Sequence, residues 1–173
     1  MQATLQRYGV NGIWHFTDRT NVQSIINNGG LLSLTESRRR RLAIPTPGGN
    51  QWSHDADGIR GVDQYVHLAF LDDHPMLFRA KEDKRITDPV WLKISTAILA
   101  NPDVRYTMDV SNKNGVPILT AREAIDELDF QVLFTRTDWR DPEIQARRRS
   151  ALKSEILIPN HVPIEMILES KNG

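Results

Sequence analysis

The sequence contains no cysteine, and this absence excludes several classes of protein at once. Without thiols the chain can hold no disulfide framework, no cysteine-ligated zinc, no iron–sulfur cluster and no cysteine nucleophile. Its apolar runs are short, and none approaches the roughly 20 residues of a transmembrane helix. The first residues also lack the apolar segment of a secretory signal. We therefore expect a cytoplasmic protein without a membrane partner.

The common phosphate-binding and hydrolase motifs are absent too. The sequence has no G-x-x-x-x-G-K-[ST] loop, no G-x-G-x-x-G fingerprint and no G-x-S-x-G elbow. Its five histidines never recur at the i, i+3 or i+4 spacing of metal ligands on a helix. We therefore expect no metal, and the chemistry has to rest on other residues.

Charge of one sign is not in excess, because 22 basic and 22 acidic residues give a formal net charge of zero. A chain of 173 residues has the length of one domain, which we assign to residues 1–173. Arginine supplies 16 of the 22 basic side chains and is well suited to bidentate phosphate contacts. Two arginine tracts, 38–41 and 147–149, are either solvated helix faces or a surface for a polyanion.

Short strands outnumber helices in the hydrophobic pattern, and the two do not alternate regularly. Strands are predicted over 13–16, 65–70, 90–94, 104–108, 132–134, 154–158 and 163–168. Helices are predicted after the caps at Asp18 or Thr20, Thr120 and Asp141, and residues 37–64 read as a long loop. This order favours an α+β fold around a largely antiparallel sheet.

Two features could carry chemistry. His15-Phe16-Thr17 stands at the end of the first strand, where a histidine either presents itself to a ligand or fixes the turn. Glu155 begins the apolar run Glu-Ile-Leu-Ile, where an acid is costly to bury unless it is paired or used. The alternative for Glu155 is a solvated face of the strand.

Taken in order, these motifs resemble the DarT family of ADP-ribosyltransferase toxins, which modify nucleic acid. The resemblance spans about residues 8–168. It is carried by the His-x-Thr at 15–17, the Asn-Val-x-x-Ile-Ile…Gly-Gly-Leu at 21–31, the Tyr-Val-x-x-x-Phe at 65–70, the Pro-Met-Leu at 75–77 and the Glu-aliphatic-Leu-aliphatic at 155–158. One departure lies in the strand at 65–70, where the family's Tyr-Val-Pro-Phe-Tyr-Phe reads Tyr-Val-His-Leu-Ala-Phe.

The resemblance implies an ADP-ribosyltransferase-like split, mainly antiparallel β-sheet with flanking short helices, and NAD as the substrate. Glu155 would be the catalytic carboxylate, bonding a ribose hydroxyl and accepting a proton from the target base. Arg41 would be the catalytic arginine, chosen from 38–41. The residues that would bind NAD are His15, Phe16, Thr17, Asn21, Gly30, Leu31, Tyr65 and Phe70.

The acceptor implied by the resemblance is a base in single-stranded nucleic acid, with DNA preferred to RNA. Arg147, Arg148 and Arg149 would hold the phosphate backbone, and an antitoxin protein would be a further partner. Two alternatives stay open at this point. The chain could modify a protein acceptor, or it could be a nucleic-acid-binding module without transferase activity.

Overall fold

A computed structural model describes residues 1–46, 49 and 51–173, with residues 51–53 described by their backbone alone. Helices and strands follow one another irregularly, as the sequence predicts for an α+β fold. The helices are α1 Gln2–Arg7, α2 Val22–Asn27, α3 Leu34–Arg39, α4 Gln51–Arg60, α5 Pro75–Glu82, α6 Ala121–Glu127, α7 Phe130–Phe134 and α8 Pro142–Ala151. The strands are β1 Gly12–Asp18, β2 Gly30–Leu32, β3 Tyr65–Ala69, β4 Pro89–Ser95, β5 Arg105–Thr107, β6 Glu155–Pro159, β7 His161–Pro163 and β8 Ile167–Asn172.

The main sheet has six strands in the order β5-β6-β3-β1-β4-β8, and every neighbouring pair is antiparallel. Strands β1 and β4 pair along their whole length, from Gly12–Ser95 to Asp18–Pro89. Strands β1 and β3, in contrast, pair at one position, Trp14–Ala69. The sheet therefore opens between β1 and β3, as expected for a split sheet.

A second, two-stranded sheet joins the two sides of this opening. Asn160, with a φ of 61°, turns the chain from β6 into β7, and β7 pairs with β2. Strand β2 follows directly on α2, which follows β1 after one turn of 3-10 helix. Strand β6, which begins with Glu155, is therefore connected to α2 through the pairing of β7 with β2.

The main hydrophobic core lies on one face of the sheet. Successive side chains of a strand point to opposite faces, so Ile156 and Ile158 of β6 enter the core with Leu68 of β3. Glu155 therefore faces the other side of the sheet. Along the described residues no helix is long and apolar enough to cross a bilayer.

Three predictions about local structure are wrong. The strand predicted over 163–168 is interrupted by a 3-10 turn at Ile164–Met166, where the Ile167 N–H bonds the Ile164 backbone oxygen, and β8 begins only at Ile167. Residues 132–134 form the end of helix α7 instead of a strand, because the Asp129 side chain accepts the Val132 N–H and caps that helix. The loop predicted over 37–64 contains the end of α3 and all of α4; residues 47, 48 and 50 of that loop lie outside the described residues. Ser33 caps α3 by accepting the Glu36 N–H, a signal that the sequence analysis did not use.

Candidate active site

A cavity of about 280 Å³ lies where β1 and β3 separate. Its wall includes eight residues that the sequence predicts for the site, which the fold brings together from β1, the turn before α2, β2, β3 and β6. These residues are His15, Phe16, Thr17, Asn21, Gly30, Leu31, Tyr65 and Glu155.

Glu155 is the buried carboxylate of this cavity, with a side chain only 7% exposed. Its Oε2 accepts a hydrogen bond from the Ser111 N–H at 3.1 Å and lies 3.3 Å from His67 Nδ1. Its Oε1 lies 4.0 Å from His74 Nε2 and accepts no hydrogen bond from the described residues. One carboxylate oxygen is therefore held by the protein, and the other keeps its capacity to accept a donor from a ligand.

His67 is the partner that allows this carboxylate to stay charged. Its Nε2 lies 3.1 Å from the Val62 carbonyl oxygen, so both ring nitrogens face acceptors. Burial by itself would lower the pKa of His67, but the hydrogen bond and charge of Glu155, with Asp57 nearby, raise it to about 9. Burial likewise tends to raise the pKa of Glu155, but His67 and Ser111 lower it to about 2. The two side chains form a buried ion pair at neutral pH.

His15, in contrast to His67, lines the cavity as a neutral ring. Its Nδ1–H donates to the backbone oxygen of His67 at 3.0 Å, across the gap between β1 and β3. Burial lowers the pKa of His15 to about 4, so its ring is neutral at pH 7. With Nδ1 protonated, Nε2 of His15 is left as an acceptor.

Asn21, in the turn between β1 and α2, holds one wall of the cavity by joining the loop at Thr46 to Thr17 of β1. Its Nδ2 donates to Thr17 Oγ1 at 3.0 Å and to the Thr46 backbone oxygen at 2.6 Å, and its Oδ1 accepts the Thr46 N–H at 2.9 Å. Residues 42–46, which end at this clamp, line the cavity. The amide of Asn21 therefore serves to hold the wall rather than to bind a ligand directly.

Gly30 allows a close approach of two strands at the rim of the cavity. A Cβ at this position would lie 2.0 Å from the Val162 backbone oxygen and 2.9 Å from His161 Nε2. Its φ of 135° also disfavours any residue with a side chain. The pairing of β2 with β7 beside the cavity therefore requires glycine here.

Asp57 supplies a second carboxylate to the cavity wall from α4. Its Oδ1 is buried and has no hydrogen-bond partner among the described residues. Burial raises the pKa of Asp57. In residues 1–46, 49 and 51–173, no group of three or more His, Asp or Glu side chains is placed to hold a metal ion.

Two of the residues predicted to act in catalysis or NAD binding lie away from the cavity. Phe70, predicted to pack in the nicotinamide pocket, is not among the described wall residues; it is buried in the core against Phe130 and Phe134, with ring centroids 6.0 and 6.4 Å away. Arg41 is exposed just beyond the end of α3 and is not among the described wall residues. Of its tract, Arg38 is the member that reaches a wall residue, Asp63, at 3.9 Å.

The second arginine tract is divided between structural and exposed side chains. Arg147 makes two hydrogen bonds to the Asp129 carboxylate, at 2.8 and 3.0 Å. Arg148 donates to the Val132 backbone oxygen at 3.2 Å. Arg149 is exposed and makes no ion pair within the described residues. Arg147 and Arg148 therefore join α8 to the region of α7, and Arg149 is the member left for an external anion.

Sequence reasoning missed His67, His74, Ser111 and Asp57. Histidine pairs at helical spacing are absent from the sequence, whereas His67 and His74 approach Glu155 through strand pairing and a loop. Strand alternation could have indicated His67. His67 and Ala69 share one face of β3, and Ala69 lies opposite Glu155 in the pairing of β3 with β6. No local pattern marks Ser111 or Asp57.

Comparisons with known proteins agree with this fold. A family model described as "ssDNA thymidine ADP-ribosyltransferase, DarT" matches residues 14–169. Thermus sp. 2.9 DarT in complex with ADP-ribosylated ssDNA is similar with a TM-score of 0.69 at 17% identity, over 92% of this chain and 80% of that chain. Its complex with NAD⁺ gives 0.62 at 20% identity over the same shares. Thermosipho africanus DarTG in complex with ADP-ribose gives 0.68 at 16% identity, over 93% of this chain and 43% of that chain. No curated protein matches the chain by sequence.

Proposed function

The chain belongs to the DarT family of ssDNA thymidine ADP-ribosyltransferases, and from this premise we propose a role for each group in the cavity. The enzyme is an NAD-dependent ADP-ribosyltransferase with NAD⁺ as its substrate. NAD⁺ binds in the opening between β1 and β3, with His15 and Thr17 on the dinucleotide. The acceptor is a thymine base in single-stranded DNA.

The observation that carries the proposal is the state of Glu155. Its carboxylate is buried and charged, and its Oε1 is free to accept a hydrogen bond from a ligand. A ribose hydroxyl is a suitable donor for that oxygen. The carboxylate then lies close to the positive charge that develops on the ribose, as a carboxylate does in glycoside hydrolysis.

The transfer of ADP-ribose breaks one bond, forms one bond and releases one proton. The bond between the ribose C1 and the nicotinamide nitrogen breaks, and its electron pair leaves with nicotinamide, which departs neutral. The thymine nitrogen that carries the ring proton forms the new bond to C1 and loses that proton. Once the new bond forms, this proton is strongly acidic, so even a weak base such as the carboxylate of Glu155 can accept it.

The shape of the cavity, and with it the binding of NAD⁺, depends on three further wall residues: Asn21, Gly30 and Leu31. Asn21 fixes the 42–46 wall, and Gly30 sets the spacing of β2 and β7. Tyr65 lies in the wall at the start of β3, where its ring is available to pack on the nicotinamide. Phe70 supports this region from within the core.

We further propose that the chain acts as a toxin and that an antitoxin protein opposes it. Modified thymine cannot pair normally, because the thymine ring proton is one of its two base-pairing contacts. The homologous Thermosipho chain is named DarTG, and this chain covers less than half of it. Expression in cells should therefore be harmful unless a partner is supplied, and growth curves with wild-type and Glu155→Gln chains measure this.

The direct test uses NAD⁺ labelled in its adenylate half, a thymidine-containing oligonucleotide and an otherwise identical oligonucleotide without thymidine. Wild-type protein should label the first oligonucleotide alone, and Glu155→Gln should reduce labelling at least 100-fold. Glu169→Gln is the matched control, because Glu169 is an exposed carboxylate of β8 paired with Lys93. Labelling of protein bands in place of the oligonucleotide, or full activity of Glu155→Gln, would overturn the proposal.

A further inference from the structure

The described wall of the cavity contains neither lysine nor arginine. The sequence places none at 47, 48 or 50–53 either, since these residues are Pro, Gly, Asn, Gln, Trp and Ser. Three carboxylates nevertheless line the cavity: Glu155, Asp57 and Asp63, of which Asp63 lies 3.9 Å from Arg38. A buried carboxylate needs a cation or hydrogen-bond donors to stay ionised. Within the described wall, the side chains that can carry positive charge are therefore histidines.

The hydrogen bonds of His67 identify it as the charged one of these histidines. Its Nε2 faces the Val62 carbonyl oxygen at 3.1 Å, and its Nδ1 faces Glu155 Oε2 at 3.3 Å. Carbonyl and carboxylate oxygens accept hydrogen bonds and cannot donate them. With Glu155 ionised, a proton on each ring nitrogen satisfies both acceptors, and the ring is then an imidazolium. Ser111 Oγ, at 3.2 Å from Nδ1, can accept from the same proton.

We propose that His67 is a positioning residue for ADP-ribose transfer, whose imidazolium holds Oε2 of Glu155 so that Oε1 stays directed to the ribose hydroxyl. The Ser111 N–H, from the loop after β5, donates a second hydrogen bond to Oε2. His67 acts through Glu155 and makes no contact of its own with the reacting atoms. This inference rests on the proposed function, because it assigns a role within the same reaction.

The titratable groups around His67 either stabilise its positive charge or are themselves neutral at pH 7. Glu155 of β6 and Asp57 of α4 are carboxylates that stabilise the imidazolium. His15 of β1 and His74, which precedes α5, would oppose it if they were charged, but burial lowers the pKa of each. Transfer should therefore be level through neutral pH and should fall as pH rises through the pKa of His67.

The first measurement concerns the wild-type protein without NAD⁺ and needs no activity. Nitrogen-15 NMR of the histidine rings distinguishes an imidazolium from a neutral imidazole. We expect His67 to be doubly protonated at pH 7 in the wild-type chain and neutral at that pH in Glu155→Gln. A neutral His67 ring in the wild-type chain at pH 7 would overturn the inference.

The second measurement is the single-turnover rate against pH for wild type and His67→Gln. Glutamine keeps an N–H donor but has no charge, so the rate should fall about 10–100-fold with KM for NAD⁺ changed less than about twofold. The fall in rate at alkaline pH should also disappear from the His67→Gln profile, because no titrating cation remains. Because folding stability also depends on pH, the rate at each pH is divided by the folded fraction measured by circular dichroism at that pH.

His161→Gln is the control, because His161 is a half-buried histidine of β7 whose ring bonds the Gly29 backbone oxygen and does not face Glu155. Its pH profile should keep the wild-type shape. In His67→Ala, added imidazole should restore part of the rate. Transfer by wild type with the same pH profile in His67→Gln would refute the inference and leave the proposed function standing. No transfer by wild type at any pH would refute both.

Discussion

The Glu155–His67 ion pair should make the stability of the fold depend on pH in a way that Glu155→Gln removes. His67 has a folded pKa of about 9 against 6.5 for an unperturbed histidine. At about 1.4 kcal/mol per pKa unit, this difference corresponds to about 3 kcal/mol of stabilisation. Both side chains are mostly shielded from water, with Glu155 7% and His67 28% exposed, so solvent screens little of this interaction.

The direction follows from linkage. The pKa of His67 is raised on folding, so its contribution is complete below pH 6.5 and is lost as pH rises through about 9. The pKa of Glu155 is lowered on folding, so its contribution is present above pH 4.5 and is lost as pH falls through about 2. The pair therefore contributes in full between about pH 4.5 and 6.5.

Urea unfolding at intervals from pH 6 to 10 tests this prediction. Glu155→Gln should lower the free energy of unfolding by about 3 kcal/mol at pH 6, and the gap to wild type should shrink below about 1 kcal/mol by pH 10. Asp129→Asn is the matched control, since it breaks an ion pair with Arg147, whose charge does not change in this range. Its effect should stay within about 1 kcal/mol at every pH. A gap between Glu155→Gln and wild type that is constant from pH 6 to 10 would refute the ion pair.

Two further predictions concern the substrates. Asn21→Ala removes two hydrogen bonds to Thr46, at about 1 kcal/mol each. It should raise KM for NAD⁺ about tenfold in steady-state assays, and a loss confined to kcat would contradict the clamp. Arg149→Gln should lower the slope of log affinity for a single-stranded oligonucleotide against log salt by ~0.7 in a fluorescence titration. Arg147→Gln should leave that slope unchanged because its guanidinium is already paired, and equal effects of the two variants would contradict the division of the tract.

Local sequence was sufficient to select Glu155 and His15, which both line the cavity. An acid at the start of an apolar strand must be paired or used, and Glu155 proves to be paired. The alternation of side chains along β3 could have corrected the expectation for Phe70. Val66, Leu68 and Phe70 share one face and enter the core, whereas His67 lies on the other.

The rest of the site depends on contacts between distant parts of the chain. His67 and Glu155 are 88 residues apart, and Ser111 and Glu155 are 44 apart. Their meeting depends on the register of β3 against β6 and on the path of the loop after β5, which no local pattern encodes. The helix at Phe130–Phe134 shows the same limit on a smaller scale, since an apolar run of that length fits a strand or a buried helix equally well.

The close approach at Gly30 has a genetic consequence. Every single-base change in a glycine codon that alters the residue adds a side chain, and the Val162 backbone oxygen leaves no room for one. All missense alleles at this codon should therefore disturb the junction that connects the strand of Glu155 to the far wall of the cavity. In a screen for inactive alleles, codon 30 should yield missense hits as readily as codon 155, although Gly30 has no side chain with which to take part in the chemistry.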